Sequence, residues 1–186
     1  MTQNTAWTNV EKALAKLHDS GLIDFSKLSK ARTPSLGKKI RSAGYYNQKS
    51  ARLKDFSAYI VKNYGPSLSG LEAKDIASLR SELLSLNGVG PETADSMILY
   101  AFSKPIFVVD AYTRRIFGRL GVAKKDATYD DVQSLVHTSV PQDKEGSTLF
   151  YNEFHALLVE LAKRHCRTRP VCEGCPARPT CKQGRR

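Results

Sequence analysis

Four thiols dominate the reactive inventory of this chain. Cys166, Cys172, Cys175 and Cys181 fall in its last 21 residues with the spacing C-x5-C-x2-C-x5-C. A disulfide framework suits exported proteins, and the N-terminus MTQNTAWTNVEK lacks the charged-then-apolar order of a leader. Zinc also takes four thiolates, but its usual pattern is two well-separated CxxC knuckles. Here one central CxxC sits between two equal loops, which favours an iron–sulfur cluster. Basic side chains from Lys163 to Lys182, and Arg185 and Arg186, surround the cysteines against a single acid, Glu173. A basic loop pinned by a metal group is suited to gripping phosphates.

A second group of residues lies in LNGVGPETAD, from Leu86 to Asp95. Gly88 and Gly90 alternate with apolar positions between two helical stretches, and Pro91 opens the second, so the segment reads as a tight helix-hairpin-helix turn. Backbone amides at such a turn form an anion site, and a nucleic-acid phosphate is a fitting anion. Asp110 follows the apolar run IFVV at 106–109 and precedes AYTRRIFGRL. It is placed to cap that helix, where the dipole keeps a carboxylate ionised while its spare lone pairs stay available.

The rest of the chain must position these groups. Its 186 residues, 41% of them hydrophobic, suffice for one packed domain or two small ones. A formal charge of +11 fits a polyanionic partner. No uninterrupted apolar run is long enough to span a bilayer, which excludes a helical membrane protein and places the chain in the cytoplasm. Apolar spacing of 3.6 recurs throughout and no strand pattern competes, so the chain reads as all-α with roughly nine helices.

Thr8 with Glu11 suggests a capping box ahead of a helix carrying Val10, Ala13, Leu14 and Leu17, closed by Gly21. Leu22, Ile23, Phe25 and Leu28 suggest a short second helix. Thr33 and Pro34 open a third, which buries Leu36 and Ile40 and stops at Gly44. Leu53, Phe56, Ile60 and Tyr64 stripe a long helix from Asn47, with Lys49, Arg52, Lys54 and Lys62 elsewhere around it. The hairpin helices take residues 75–84 and 91–102. Thr128 caps a later helix, and the last runs from about Ser147 to His165 with Phe150, Phe154, Leu157, Leu158 and Leu161 on its buried stripe.

LNGVGPETA followed by VVDAYTRRIFGRLG resembles the hairpin and aspartate signature of the endonuclease III superfamily of helix-hairpin-helix DNA glycosylases. The resemblance implies a two-lobed helical fold with a DNA groove between the lobes. Residues 25–121 would form the hairpin lobe, and residues 1–24 and 122–186 the cluster-bearing lobe, with 1–24 an alternative member of the first. It implies a [4Fe-4S] cluster on the four cysteines, although many relatives have C-x6-C-x2-C-x5-C and this chain is one residue shorter in the first loop; zinc is the alternative. Relatives usually carry a further segment ahead of the TQNT stretch in which this chain starts. Lacking it would expose apolar surface on the cluster lobe.

The implied activity is base-excision repair by a monomer on double-stranded DNA with a flipped base. Asp110 would carry catalysis by stabilising positive charge on the sugar or activating water. Gln3 and Tyr45 match positions where relatives fill the gap left by the flipped base; Gly88, Val89, Gly90 and Thr93 would bind the DNA backbone. Glu92 stands where lyase members have a lysine nucleophile, and a carboxylate cannot form an imine, so a monofunctional enzyme using water is expected. GPETAD is most similar to the branch containing 3-methyladenine glycosylases, in which an aromatic at the place of Trp7 stacks on the base. With Glu92, Trp7 would line the base pocket and favour an alkylated purine. Two alternatives stand beside this reading. One is a bifunctional glycosylase and lyase acting on oxidised pyrimidines, and the other a non-enzymatic helix-hairpin-helix DNA binder.

Overall fold

A computed structural model describes residues 2–185, with Met1 and Arg186 outside the described residues. The described residues form ten α-helices and one 3-10 turn, with no strand among them. None of the helices is long and apolar enough to cross a membrane. The chain packs as two compact units: one takes the chain up to Asp75 plus Ser85–Gly88, the other Ile76–Leu84 and everything from Val89 onward. The first helix packs with the helices that directly follow it, which is the alternative placement of residues 1–24.

In the first unit α1 (Trp7–Asp19), α2 (Phe25–Lys30), α3 (Thr33–Lys39), a 3-10 turn (Arg41–Ala43), α4 (Tyr46–Tyr64) and α5 (Ser69–Glu72) follow in order. Ala13, Leu17, Leu28, Leu36, Ile40 and Ala43 form a core on which Leu22, Tyr46 and Leu53 pack. Several local signals act differently from their sequence reading. The helix α1 begins two residues early, at Trp7 behind an uncapped Ala6, so Thr8 lies inside the first turn and the Thr8–Glu11 capping box does not form. Asp24 supplies the cap for α2 by accepting the Lys27 amide at 2.8 Å. Thr33 is the first residue of α3 rather than its cap, and α3 stops at Lys39 with the 3-10 turn carrying the chain on to Gly44. Lys49 departs most: it is buried, and its ammonium donates to the carbonyls of Gln3 and Ala43 at 2.7 Å each.

The second unit holds α6 (Ile76–Leu84), α7 (Pro91–Tyr100), α8 (Ala111–Leu120), α9 (Tyr129–Ser139), α10 (Ser147–Arg164) and the cysteine segment. Ile106 to Val109 are all buried, and Phe107 packs on the rings of Tyr151, Phe154 and His155. The buried face of α10 is turned relative to the expected stripe. Ser147, Tyr151, Leu158 and Ala162 are buried, whereas Phe150 is exposed and Leu157 is 66% exposed. An aromatic- and leucine-rich helix offers more than one apolar face, and docking of α10 on α7 and α8 selects the face through Tyr151 and Leu158.

Candidate active site

Asp110 sits where the sequence placed it, as the N-cap of α8 in extended backbone. Its Oδ1 is fully engaged, accepting the Thr113 amide at 2.7 Å and the Thr113 hydroxyl at 2.9 Å. That leaves Oδ2 for other work. The side chain is only 14% exposed, and the atom facing Oδ2 is His155 Nε2 from α10, 3.7 Å away and itself on a side chain 13% exposed. At that separation the pair interacts electrostatically without a formed hydrogen bond. On its far side, His155 Nδ1 lies 2.6 Å from the Tyr100 hydroxyl at the end of α7.

Burial pushes the Asp110 carboxyl up, but the His155 imidazole and the two Thr113 hydrogen bonds outweigh it and hold the group below the ordinary carboxylate range. Glu92, in the first turn of α7, moves the other way: desolvation and then the Asp110 charge raise it, with His155 opposing. Tyr100 is also raised, by burial and then by Asp110, so it keeps its phenolic proton. Two carboxyls pushed apart in this manner give one group that stays ionised and one that protonates readily.

The approach to Asp110 is held by side chains rather than by a neighbouring strand. Tyr129, Gln133 and His137 recur every four residues on α9 and so share one face. The Val109 amide donates to the Tyr129 hydroxyl, Gln133 donates to the Phe107 carbonyl, and the Phe107 amide donates to His137 Nε2. Extended backbone buried without a sheet needs such partners, and this helix face supplies them. Beneath it Asp95, fully buried on α7, accepts from Arg80 Nε at 2.7 Å, Tyr129 at 2.8 Å and Gln133 at 2.8 Å. Burial, then the Asp95 charge, raise the Tyr129 pKa well above its usual range, keeping its hydroxyl protonated for these bonds.

The predicted nucleic-acid contacts separate into distinct settings. Gly88 adopts φ +82°, which favours glycine, and a Cβ there would meet the Arg52 side chain at 2.4 Å. Gly90 is exposed extended backbone at φ −98° with open space where a Cβ would project, and it caps α7 without a side chain. Val89 and Thr93 are half-buried beside it. In the first unit Gln3 and Tyr45 line one shallow pocket with Asn4, Gln48, Lys49 and Arg52. Gln3 donates to the Gly88 carbonyl at 3.4 Å, and Lys49 holds the Gln3 backbone. Tyr45 is left-handed at φ +44° and 68% exposed, a strained backbone that presents an aromatic ring to solvent. Trp7 is 58% exposed and contributes little to the core.

All four cysteines are free and line one cavity with Ile116, Leu120, Leu161 and Val171. Arg119 donates to Cys166 Sγ at 3.3 Å and to the Thr168 carbonyl at 2.9 Å, while Arg115 donates to the Cys166 carbonyl at 2.8 Å. Among the described residues no three His, Cys, Asp or Glu side chains converge as ligands of a single ion. Four thiols around one apolar cavity, with a cationic donor to one of them, are a donor set that would fit a thiolate-held metal group.

Sequence reading missed His155, Tyr100, Asp95 and Lys49. His155 and Tyr100 meet although they stand 55 positions apart in the chain, which no periodicity reports. Asp95 carried a usable signal, an acid on the otherwise apolar side of a hairpin helix.

Comparison with known proteins adds four findings. A family profile described as "HhH-GPD superfamily base excision DNA repair protein" matches residues 1–142. The chain is 44% identical over 182 residues to the Methanocaldococcus jannaschii protein MJ1434, named as a DNA repair glycosylase, covering 97% of this chain and 81% of that one. It is 30% identical to endonuclease III of Thermotoga maritima, covering 100% and 80%. Among solved structures, the H. pylori 3-methyladenine DNA glycosylase bound to 1,N6-ethenoadenine superposes with a TM-score of 0.76 at 27% identity, over 88% of this chain and 80% of that chain.

Proposed function

The chain belongs to the HhH-GPD superfamily of base excision DNA repair proteins, and from that premise we propose a monofunctional DNA N-glycosylase in which Asp110 supports attack by water. The observation that carries this reading is the state of Asp110: one oxygen locked by Thr113, the other open, and the group held ionised in a recess. As the bond from C1′ to the base breaks, the electron pair leaves with the base and positive charge grows on the sugar. A preorganised carboxylate stabilises that charge, and interactions of this kind are worth about a hundredfold or more in rate. Water then adds to C1′ and gives its proton to Asp110 Oδ2. Glu92 lacks an amine and cannot form the imine that a lyase requires, which supports release of an intact abasic strand.

The substrate in this reading is an alkylated purine flipped from duplex DNA, with Glu92 and Trp7 as candidate contacts to the base. The exposed indole and the ligand named in the H. pylori structure support it. Gly88, Val89, Gly90 and Thr93 grip the backbone, and Gln3 and Tyr45 fill the vacated stack, with the protein acting as a monomer. Cys166, Cys172, Cys175 and Cys181 would hold a [4Fe-4S] cluster, which ties the basic C-terminal segment to α8; free thiols of this kind belong in the reducing cytoplasm. The test is a panel of duplexes containing alkylated purine, uracil, oxidised pyrimidine or a mismatch, each read with and without alkali. Alkali-dependent cleavage of the alkylated duplex, lost in Asp110→Asn with duplex binding retained, is the expected result. A borohydride-trapped covalent complex would establish the bifunctional alternative, and binding without release from any duplex would leave the non-enzymatic one.

A further inference from the structure

His155 Nε2 is buried and has no hydrogen-bond partner in the structure, in a chain whose other buried side-chain polar atoms are satisfied among the described residues. Such an orphan calls for an explanation, because desolvating an unpaired ring nitrogen is costly. The reach of water does not supply one, since Nε2 is closed to solvent. The acceptor that faces it is Asp110 Oδ2, at 3.7 Å, the one oxygen of that carboxylate left open by Thr113.

The contact at the other ring nitrogen bears on what Nε2 carries. Tyr100 keeps its phenolic proton and lies 2.6 Å from Nδ1. With Tyr100 as donor, Nδ1 is the bare nitrogen and the ring proton sits on Nε2, aimed at Asp110. The reverse arrangement would point a lone pair at a carboxylate. Phe107 packs edge-on against the same ring, so the imidazole is held in orientation as well as in tautomer.

We propose that Tyr100 and His155 form a positioning relay that presents an Nε2–H to the working oxygen of Asp110 and closes to a full hydrogen bond when substrate fills the site. Long contacts that tighten on substrate binding are common in unliganded active sites. Around this pair the charged and titratable groups are Glu92 and Tyr100 from α7, Asp110 with the Thr113 hydroxyl from α8, and His155 from α10. The Asp110 charge raises Glu92, and His155 favours the ionised form of Asp110, so the relay keeps this carboxylate charged beside a second acid. This role for His155 rests on the glycosylase reading of Asp110.

The test combines kinetics with a readout that needs no activity. Single-turnover base release is measured against pH for the wild type, His155→Leu, His155→Gln and Tyr100→Phe, with abasic-duplex binding measured alongside. His155→Leu is expected to lose between about tenfold and a hundredfold in rate, with binding unchanged and the acid limb moved to higher pH. His155→Gln places an amide N–H where Nε2 stood and recovers most of the loss. A His155→Leu profile that overlays the wild type, or a His155→Gln as impaired as His155→Leu, overturns the proposal. Independently, ring-nitrogen chemical shifts of the wild type, with His155 assigned by its absence in His155→Gln, should show a proton on Nε2. A bare Nε2 overturns the proposal whatever the kinetics show. If the wild type releases no base from any duplex, the glycosylase reading fails while the ring-nitrogen measurement still decides the geometry.

Discussion

Replacing Asp95 with asparagine puts the support beneath Asp110 under direct test. Asp95 is fully buried and accepts from three different side chains, Arg80, Tyr129 and Gln133. Asparagine keeps the shape, but it has one acceptor oxygen where the carboxylate has two, and its amide nitrogen must face a donor. Arg80, 24% exposed at its side chain, loses its main counter-charge. Removing one partner of a buried ion pair costs about 3 kcal/mol, the lower end of the usual range because Arg80 retains some access to water. Unfolding entropy of about 2.1 cal/mol/K per residue makes that about 8 °C in Tm for a chain of this length. The effect should also travel to the site. Tyr129 receives the Val109 amide immediately before Asp110, so base release by Asp95→Asn is expected to fall by about tenfold at temperatures where the variant is folded. Thermal melting, with Tyr129→Phe and the double variant completing the cycle, should give a coupling of about 1 kcal/mol. A Tm within about 1 °C of wild type, or a double variant that is simply additive, would refute the claim that this network holds the approach to Asp110.

The two hairpin glycines should respond differently. Gly88→Ala, forced to keep φ +82° and to displace Arg52, should lose about 1–2 kcal/mol of stability, whereas Gly90→Ala should stay within about 0.5 kcal/mol while weakening duplex binding; equal melting curves for the two would contradict the backbone argument. His137 accepts the Phe107 amide as a neutral ring, and burial lowers its pKa below 6.5. Between those two values the unfolded chain binds a proton that the folded chain does not, so this stability is complete above about pH 6.5 and is lost as pH falls toward the folded value. His137→Gln, which keeps an acceptor and cannot titrate there, should flatten that part of the Tm-against-pH curve. Purified protein should show a violet absorbance band with bound iron and sulfide, lost in Cys175→Ser; a colourless protein containing zinc would replace the cluster assignment.

Much of the architecture was written locally. Asp110 as an N-cap, the Thr128 cap and the α6–α7 hairpin each depend on a few adjacent residues and each formed where expected, while Asp131 completes the Thr128 capping box and left-handed Gly121 ends α8 on equally local grounds. Local signals failed where two candidates competed within one turn, as Thr8 did with the earlier start at Trp7 and Thr33 with Arg32. The stripe on α10 was misjudged for a related reason: with apolar residues on more than one side, the helix does not declare which side is buried.

What the sequence determined by itself is therefore the all-α character, the hairpin, the cysteine spacing and the identity of the carboxylate at position 110. Periodicity, caps and spacing are short-range properties, fixed by the backbone geometry of a few residues. Tertiary structure alone decided that Lys49 turns inward to hold the Gln3 backbone and that α9 lends its side chains to the extended run before Asp110. It also decided that His155 and Tyr100 converge on the carboxylate. Those pairings depend on which helix faces meet, and burial then forces each polar group that arrives there to take whatever partner the packing brings within reach.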